Sequence, residues 1–162
     1  MKLVSTALYV TLALNATATF AHGDGQQKKA EFSAAQLEEK PFGKAGDARK
    51  VNRTVTITMS DKMRYTPDAL TVKRGETIRL VVKNSGKVMH ELVIGNMSEL
   101  KEHAELMKKF PGMEHDEPYM AHTAPGKAET IFWQFTQPGE FYFGCLVPGH
   151  FEAGMIGKIT VK

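Results

Sequence analysis

Short runs of alternating apolar and polar residues fill the chain from Arg53 onward, and this period of two restricts the fold most. The alternation is clear over residues 55–59, 78–82, 131–135 and 141–145. Successive side chains of a β-strand point to opposite faces of the sheet, so each run predicts a strand with one buried face. Turns rich in Gly, Pro and Asn separate the runs. The pattern therefore predicts an all-β domain folded as an antiparallel sandwich.

One insertion, residues 97–126, interrupts this rhythm. Residues 99–110 are strong helix formers, Ser98 is a suitable N-cap, and Pro111 followed by Gly112 would stop the helix. An irregular stretch is predicted from there to Gly126. We therefore expect one short helix inserted between strands.

The N-terminal part of the chain differs in composition from the rest. Lys2, the mostly apolar residues 3–14 and the small residues around Ala21 are typical of a secretory signal peptide. Residues 22–52 contain few large apolar side chains and predict a flexible arm. No apolar run reaches the ~18–20 residues that a membrane span needs. The predicted division is a signal peptide over 1–21, an arm over 22–52 and one domain over 53–162.

Charge and cysteine content exclude several classes of protein. The net charge of +3 is small and scattered, which argues against nucleic-acid binding. A single Cys among nine Met and six His excludes an intrachain disulfide, a CxxC redox pair and a Cys-rich zinc module. An exposed thiol outside the cell would be open to oxidation. The Cys is therefore an inert core residue, a nucleophile or the one thiolate of a metal site.

The segment 141–155 favours the metal site. Cys145 ends one predicted strand and Met155 begins the next, and the glycines and proline between them allow a tight loop that carries His150. His90 starts an upstream strand with its side chain on the apolar face. Two imidazoles, a thiolate and a weak axial thioether form a mononuclear type 1 copper site. Each residue alone has a simpler explanation as core packing or surface, but together they predict one copper per chain.

Other metal chemistry fits these residues less well. A methionine ligand is unusual for zinc, and one Cys excludes a binuclear copper centre. Multicopper oxidases and copper nitrite reductases need further His-rich motifs and a second domain, which the sequence lacks. We therefore expect a redox protein with no catalytic residues rather than an enzyme.

The Cys-x4-His-x4-Met loop with an upstream His resembles the loop of cupredoxins such as plastocyanin, azurin and auracyanin, over about residues 53–162. The resemblance implies a Greek-key β-sandwich with His90, Cys145, His150 and Met155 as ligands. With its signal, arm and the run 110–122, the whole chain is similar to periplasmic cupredoxins linked to bacterial copper tolerance, which are described as green. Glu91 stands where many electron carriers have an Asn or Ser that tethers the copper loop.

The resemblance implies a periplasmic location and, as partner, a periplasmic redox protein or copper-handling proteins; we expect a monomer. Two roles stay open, one-electron transfer and copper tolerance. An alternative is sequestration or chaperoning by extra ligands within residues 103–122. A second, looser copper site is one interpretation of the Met and His residues there, and a cover over the end of the sandwich is the other. The candidate ligands of that second group are Met113, His115, Met120 and His122.

Overall fold

A computed structural model describes residues 38–113 and 116–162, which form a sandwich of two five-stranded sheets with one α-helix. The strands are β1 (Lys44–Ala45), β2 (Arg53–Ser60), β3 (Arg64–Thr66), β4 (Ala69–Val72), β5 (Thr77–Asn84), β6 (His90–Gly95), β7 (Met120–Thr123), β8 (Ala128–Gln134), β9 (Gly139–Gly144) and β10 (Ile156–Val161). Helix α1 (Met97–Lys109) lies between β6 and β7. The predicted β-sandwich with one inserted helix is confirmed. The predicted signal peptide lies outside the described residues.

The two sheets contain both parallel and antiparallel neighbours. The first sheet has the order β1-β8-β5-β2-β3 and the second the order β4-β10-β9-β6-β7. The pairs β2–β5 and β4–β10 are parallel, whereas the other neighbours are antiparallel. The prediction of an antiparallel sandwich is therefore wrong for these two strand pairs, whereas the sandwich itself is as predicted. Alternating apolar and polar residues indicate that one face of a strand is buried, but they do not indicate whether the neighbouring strand is parallel or antiparallel.

The inward faces of both sheets form the main core. Its largest fully buried side chains include Trp133, Phe135 and Phe143. The Phe143 ring also accounts for the glycine at position 157 on the neighbouring strand, because a Cβ there would collide with the ring. The core lies between the sheets and extends to the end of the sandwich where β6 begins and β9 ends, since Cys145 and Met155 belong to it.

Part of the predicted arm over 22–52 packs on the first sheet. The Phe42 side chain is buried and stacks on Trp133, with 5.5 Å between ring centroids. Trp133 Nε1 also donates a hydrogen bond of 2.9 Å to the Phe42 carbonyl, and β1 pairs with β8. This segment has few apolar residues, so its composition did not indicate that it would pack on the sheet. The Phe42 side chain and the β1–β8 pairing hold it there. Residues 22–37 of the predicted arm lie outside the described residues.

Helix α1 packs on the outer face of the second sheet. Asn96, rather than the predicted Ser98, is its N-cap, because the Asn96 side chain accepts a hydrogen bond of 2.9 Å from the Glu99 peptide N–H and completes a capping box. The side chains that join the helix to the sheet form a second apolar cluster, the α1 cluster, made of Val93, Leu100, Ala104, Met107, Met120, Leu146 and Phe151. Within the described part of the chain, no helix has the length and apolar content to cross a membrane.

The stretch predicted as irregular after the helix contains strand β7. It pairs antiparallel with β6, so that Met120 lies opposite Val93 and Thr123 opposite His90. The prediction failed here because the inward residues of β7 are small or polar, Ala121 and Thr123, and do not produce the expected run of large apolar residues.

Candidate metal centre

Three of the predicted ligands converge at one end of the sandwich. His90 is the first residue of β6, Cys145 directly follows β9, and His150 lies in the loop before β10. Their ligand atoms all lie within 4.8 Å of one another, and His150 Nδ1 is 3.3 Å from Cys145 Sγ. His90 and Cys145 are fully buried, whereas His150 is half-buried. The three side chains are therefore close enough to share one ion.

Met155, the predicted fourth ligand, is fully buried directly before β10 and belongs to the same core cluster as Cys145. Two backbone hydrogen bonds of 3.1 Å tie it to the other ligands of the loop. The Cys145 N–H donates to the Met155 carbonyl, and the Met155 N–H donates to the His150 carbonyl. These bonds hold the three ligand-bearing backbone positions of residues 145–155 at fixed separations.

The hydrogen bonding of His90 fits a metal ligand. Its Nε2 lies 3.1 Å from the Asp61 carboxylate. A carboxylate accepts a hydrogen bond from a ring N–H at Nε2, and that tautomer leaves the Nδ1 lone pair free. His90 Nδ1 is buried and has no hydrogen-bond partner. An unsatisfied buried polar atom costs about 1–3 kcal/mol. A metal ion bound at Nδ1 would remove that cost.

The protonation of Cys145 and His150 also favours a soft metal. Burial raises the pKa of the Cys145 thiol to about 12, although peptide N–H groups of Glu91 and Val147 act in the opposite direction. A coordinated cation stabilises the thiolate and so replaces the proton. Burial, followed by the neighbouring His90, lowers the pKa of His150, so its imidazole is neutral and can coordinate at neutral pH.

The donor set selects the metal. A thiolate, two imidazoles and a thioether are soft to borderline ligands, which suit copper in both of its common oxidation states and disfavour Mg²⁺ or Ca²⁺. No other group of three or more His, Cys and carboxylate side chains in the described part of the chain is close enough to share a metal. The residues present therefore fit one copper ion.

The second group of predicted ligands has a different fate. Met120 is buried in the α1 cluster, whereas Met113 is 43% exposed. His122 Nδ1 lies 3.0 Å from the Glu91 carboxylate. His115 lies outside the described residues. The three described members thus sit in three different surroundings, namely an apolar core, the surface and a side-chain contact with Glu91.

Glu91 supports the site through its backbone. Its N–H donates to Cys145 Sγ at 3.3 Å, and its carbonyl accepts a hydrogen bond of 2.6 Å from the buried Tyr65 hydroxyl. Because backbone groups of Glu91 make both contacts, they do not require the Asn or Ser found in many electron carriers. Sequence reasoning noted Glu91 but missed Tyr65, whose place in the short strand β3 gives no local signal of a role at the site.

Contacts on both sides hold the ligand loop. Phe151 packs in the α1 cluster and directly covers Gly144, where a Cβ would lie 2.9 Å from the Phe151 ring. Lys108 of α1 pairs with Glu152 at 2.6 Å. On the other side, an Arg64 guanidinium N–H donates to the Ala153 carbonyl at 2.9 Å. The loop is therefore supported by the inserted helix as well as by the first sheet.

Asp61 is the neighbour of the ligands that sequence reasoning missed. It lies in the turn between β2 and β3, where an acidic residue is usual and carries no signal of function. The peptide N–H of Lys87, followed by the His90 ring, lowers the pKa of the Asp61 carboxyl. Only the fold shows that a residue 29 positions before His90 contacts its imidazole.

Comparison with known proteins agrees with this geometry. The family described as "Copper binding proteins, plastocyanin/azurin family" matches residues 51–162. The chain is 44% identical to "Copper-resistant cuproprotein CopI" of Rubrivivax gelatinosus, over 99% of this chain and 98% of that protein. It is 30% identical to the protein of the same name in Pseudomonas aeruginosa, over 82% of this chain and 89% of that protein.

Solved structures show the same fold. The reduced auracyanin of Roseiflexus castenholzii is similar with a TM-score of 0.59 and 25% identity, over 69% of this chain and 98% of that one. Auracyanin B has a TM-score of 0.59 at 20% identity, over 74% of this chain and 96% of that one. The donor set, the sandwich and these matches agree on copper at a type 1-like site of His90, Cys145, His150 and Met155. The chain therefore belongs to the plastocyanin/azurin family of copper-binding proteins.

Proposed function

We propose that this chain is a periplasmic copper-tolerance protein that works through one-electron copper chemistry and is not an enzyme. The observation that carries the proposal is the preformed cluster at one end of the sandwich, made of the buried His90 and Cys145 and the half-buried His150. The similarity to a copper-resistant cuproprotein over nearly the whole of both chains supports a role in copper tolerance.

The construction of the site suits rapid electron exchange. When bound, copper supplies a couple between Cu(II) and Cu(I). The chain's own residues hold the donors in one arrangement: His90 by Asp61, Cys145 by the Glu91 N–H, and the loop by its two internal hydrogen bonds. A rigid compromise between the preferences of the two oxidation states keeps the rearrangement between them small.

Access to the site is from one side. His150 is half-buried, and Pro148 and Gly149 before it are exposed. Val88 and Met89, which lead into the ligand His90, are each 44% exposed, and the His90 and His150 rings are 5.0 Å apart. We propose that a periplasmic redox protein or copper-handling protein docks at this end and exchanges electrons through the exposed edge of His150.

The predicted export of the chain supports the same role. The predicted signal peptide over residues 1–21 would deliver the chain to the periplasm, where thiols are exposed to oxidants. Cys145 is fully buried, so the free thiol is shielded there before copper binds. Both features are expected of an exported protein with a single thiolate ligand.

Gene deletion and complementation in the organism that encodes the chain test the proposal. We expect the deletion strain to grow poorly at raised copper, the native gene to restore growth, and Cys145→Ser to fail. Met113→Leu, which changes an exposed methionine of the second group, is the matched control and should restore growth. Unchanged growth of the deletion strain would refute the tolerance role. Full rescue by Cys145→Ser would instead support sequestration by the other Met and His residues.

The location is tested by fractionation. We expect the native chain in the periplasmic fraction, and a variant that lacks residues 1–21 in the cytoplasm without protection against copper. Equal protection by the variant confined to the cytoplasm would contradict a periplasmic role.

A further inference from the structure

The Asp61 carboxylate is built into the environment of the copper ligand His90. Its Oδ1 lies 3.1 Å from His90 Nε2, and its Oδ2 accepts a hydrogen bond of 2.8 Å from the Lys87 peptide N–H. The two contacts use both carboxylate oxygens. The carboxylate therefore has one orientation relative to an imidazole that is itself fully buried.

Gly86 makes this approach possible. A Cβ at Gly86 would collide with Asp61 Oδ1 and would lie 3.1 Å from His90 Nε2. Gly86 is not among the glycines with positive φ, so its backbone conformation does not itself require glycine. The absence of a side chain at position 86 thus serves the contact between the carboxylate and the imidazole.

We propose that Asp61 is a positioning residue that fixes His90 for coordination through Nδ1 and lowers the reduction potential of the site. A carboxylate that accepts the second ring N–H orients a metal-binding histidine and makes it a stronger donor. A nearby negative charge also stabilises Cu(II) more than Cu(I), because Coulomb attraction scales with ionic charge. Asp61 therefore favours the oxidised state.

This inference rests on the proposed one-electron function, but it is tested on purified protein and not on bacterial growth. A failed tolerance assay would leave the potential measurement intact, and an unaltered potential would leave the tolerance assay intact. The competing explanation is that Asp61 only ties down the loop before β6 through Lys87. That structural role alone would change the stability of the protein but not the potential of its copper.

The first test is the reduction potential of copper-loaded Asp61→Asn, measured by redox titration of the visible charge-transfer band. The substitution nearly keeps the shape and an acceptor oxygen but removes the charge. We expect the affinity for Cu(II) relative to Cu(I) to fall on the order of tenfold, which raises a one-electron potential by about 59 mV. Asp47→Asn is the matched control, because Asp47 lies beside the β1–β8 pairing, toward the opposite end of β5. A potential of Asp61→Asn equal to that of this control would overturn the proposal.

Gly86→Ala is the second test, because it keeps the carboxylate but blocks its approach to His90. We expect its potential to rise in the same direction as that of Asp61→Asn. An unchanged potential in Gly86→Ala would refute the positioning role, since the charge would then act without the contact. If Asp61→Asn fails to load with copper, the potential of Gly86→Ala decides the question alone.

Discussion

The ligand loop, residues 145–155, and the described part of the insertion, residues 97–126, offer similar donor atoms but use them differently. Each contains methionine and histidine at short spacing. In the ligand loop, Cys145 and Met155 lie in the core between the sheets, and His150 reaches back to Cys145. In the insertion, Met120 packs under α1 and His122 pairs with Glu91. The presence of suitable ligand atoms is therefore not enough for a metal site, because the ligand atoms must also point toward one common metal position.

The face of the strand decides this difference. Side chains alternate between the two faces, so Met120 and His122 of β7 lie on the outer face while Ala121 and Thr123 face inward. A shift of one residue in register would reverse that assignment. Pairing with β6 sets the register, and the copper ligand His90 lies opposite Thr123.

The two regions also touch each other. Phe151 of the ligand loop packs in the α1 cluster, and Glu152 pairs with Lys108 of the helix. The helix of the insertion thus supports the copper loop from outside. The following substitutions separate a ligand from a supporting residue.

The largest expected effect is that of Cys145→Ser. The substitution removes the sole thiolate, so the intense thiolate-to-copper charge-transfer band of the oxidised protein should disappear completely. Visible absorption of the copper-loaded protein measures it, and Met113→Leu should keep the full band. A band that survives in Cys145→Ser would show that the ligand assignment is wrong.

Met120→Ala tests the insertion. Because Met120 is buried in the α1 cluster, we expect the free energy of unfolding to fall by about 2–5 kcal/mol. Denaturant unfolding of the metal-free protein measures this loss. The copper band of the folded variant should stay unchanged, and its disappearance would instead identify Met120 as a ligand.

Met155→Leu should have an intermediate effect. Leucine nearly preserves the volume of this fully buried side chain but removes the thioether, whose bond to type 1 copper is weak. We expect the variant to retain copper while its reduction potential and visible spectrum shift. Total loss of copper would show that Met155 contributes much more than a weak bond to the metal.

Glu152→Gln should have the smallest effect. It removes the ion pair between Glu152 and Lys108, which lies at the surface, where water and salt screen such pairs. We expect a slight decrease in thermal stability at low salt that vanishes at high salt, with no change in the copper spectrum. A clear spectral shift would show that this ion pair positions His150.

Much of the fold was predictable because burial leaves a periodic trace in the sequence. The alternating runs 78–82 and 131–135 became adjacent strands, with Ile78 opposite Trp133. The prediction failed where few large apolar side chains mark the buried face. Strand β7 was not predicted because its inward residues are small or polar. The segment around Phe42 was not predicted to pack because it contains few apolar residues. The N-cap of α1 is Asn96 instead of the predicted Ser98.

The candidate site was predictable to a similar degree and for a different reason. Cys145, His150 and Met155 share one loop, so their spacing alone brings them together. His90 lies far upstream on another strand, and the pairing of β6 with β9 brings it beside them. Tyr65 and Asp61, which contact the ligand region from a distant part of the chain, carry no local signal.

The amino-acid sequence by itself determined the strand-rich fold, the single thiolate and the spacing of the ligand loop, because these depend on neighbours along the chain. Only the tertiary structure decided which methionines and histidines share a point, which carboxylate holds His90, and that the inserted helix supports the copper loop. Those outcomes depend on strand register and on contacts between residues far apart in sequence.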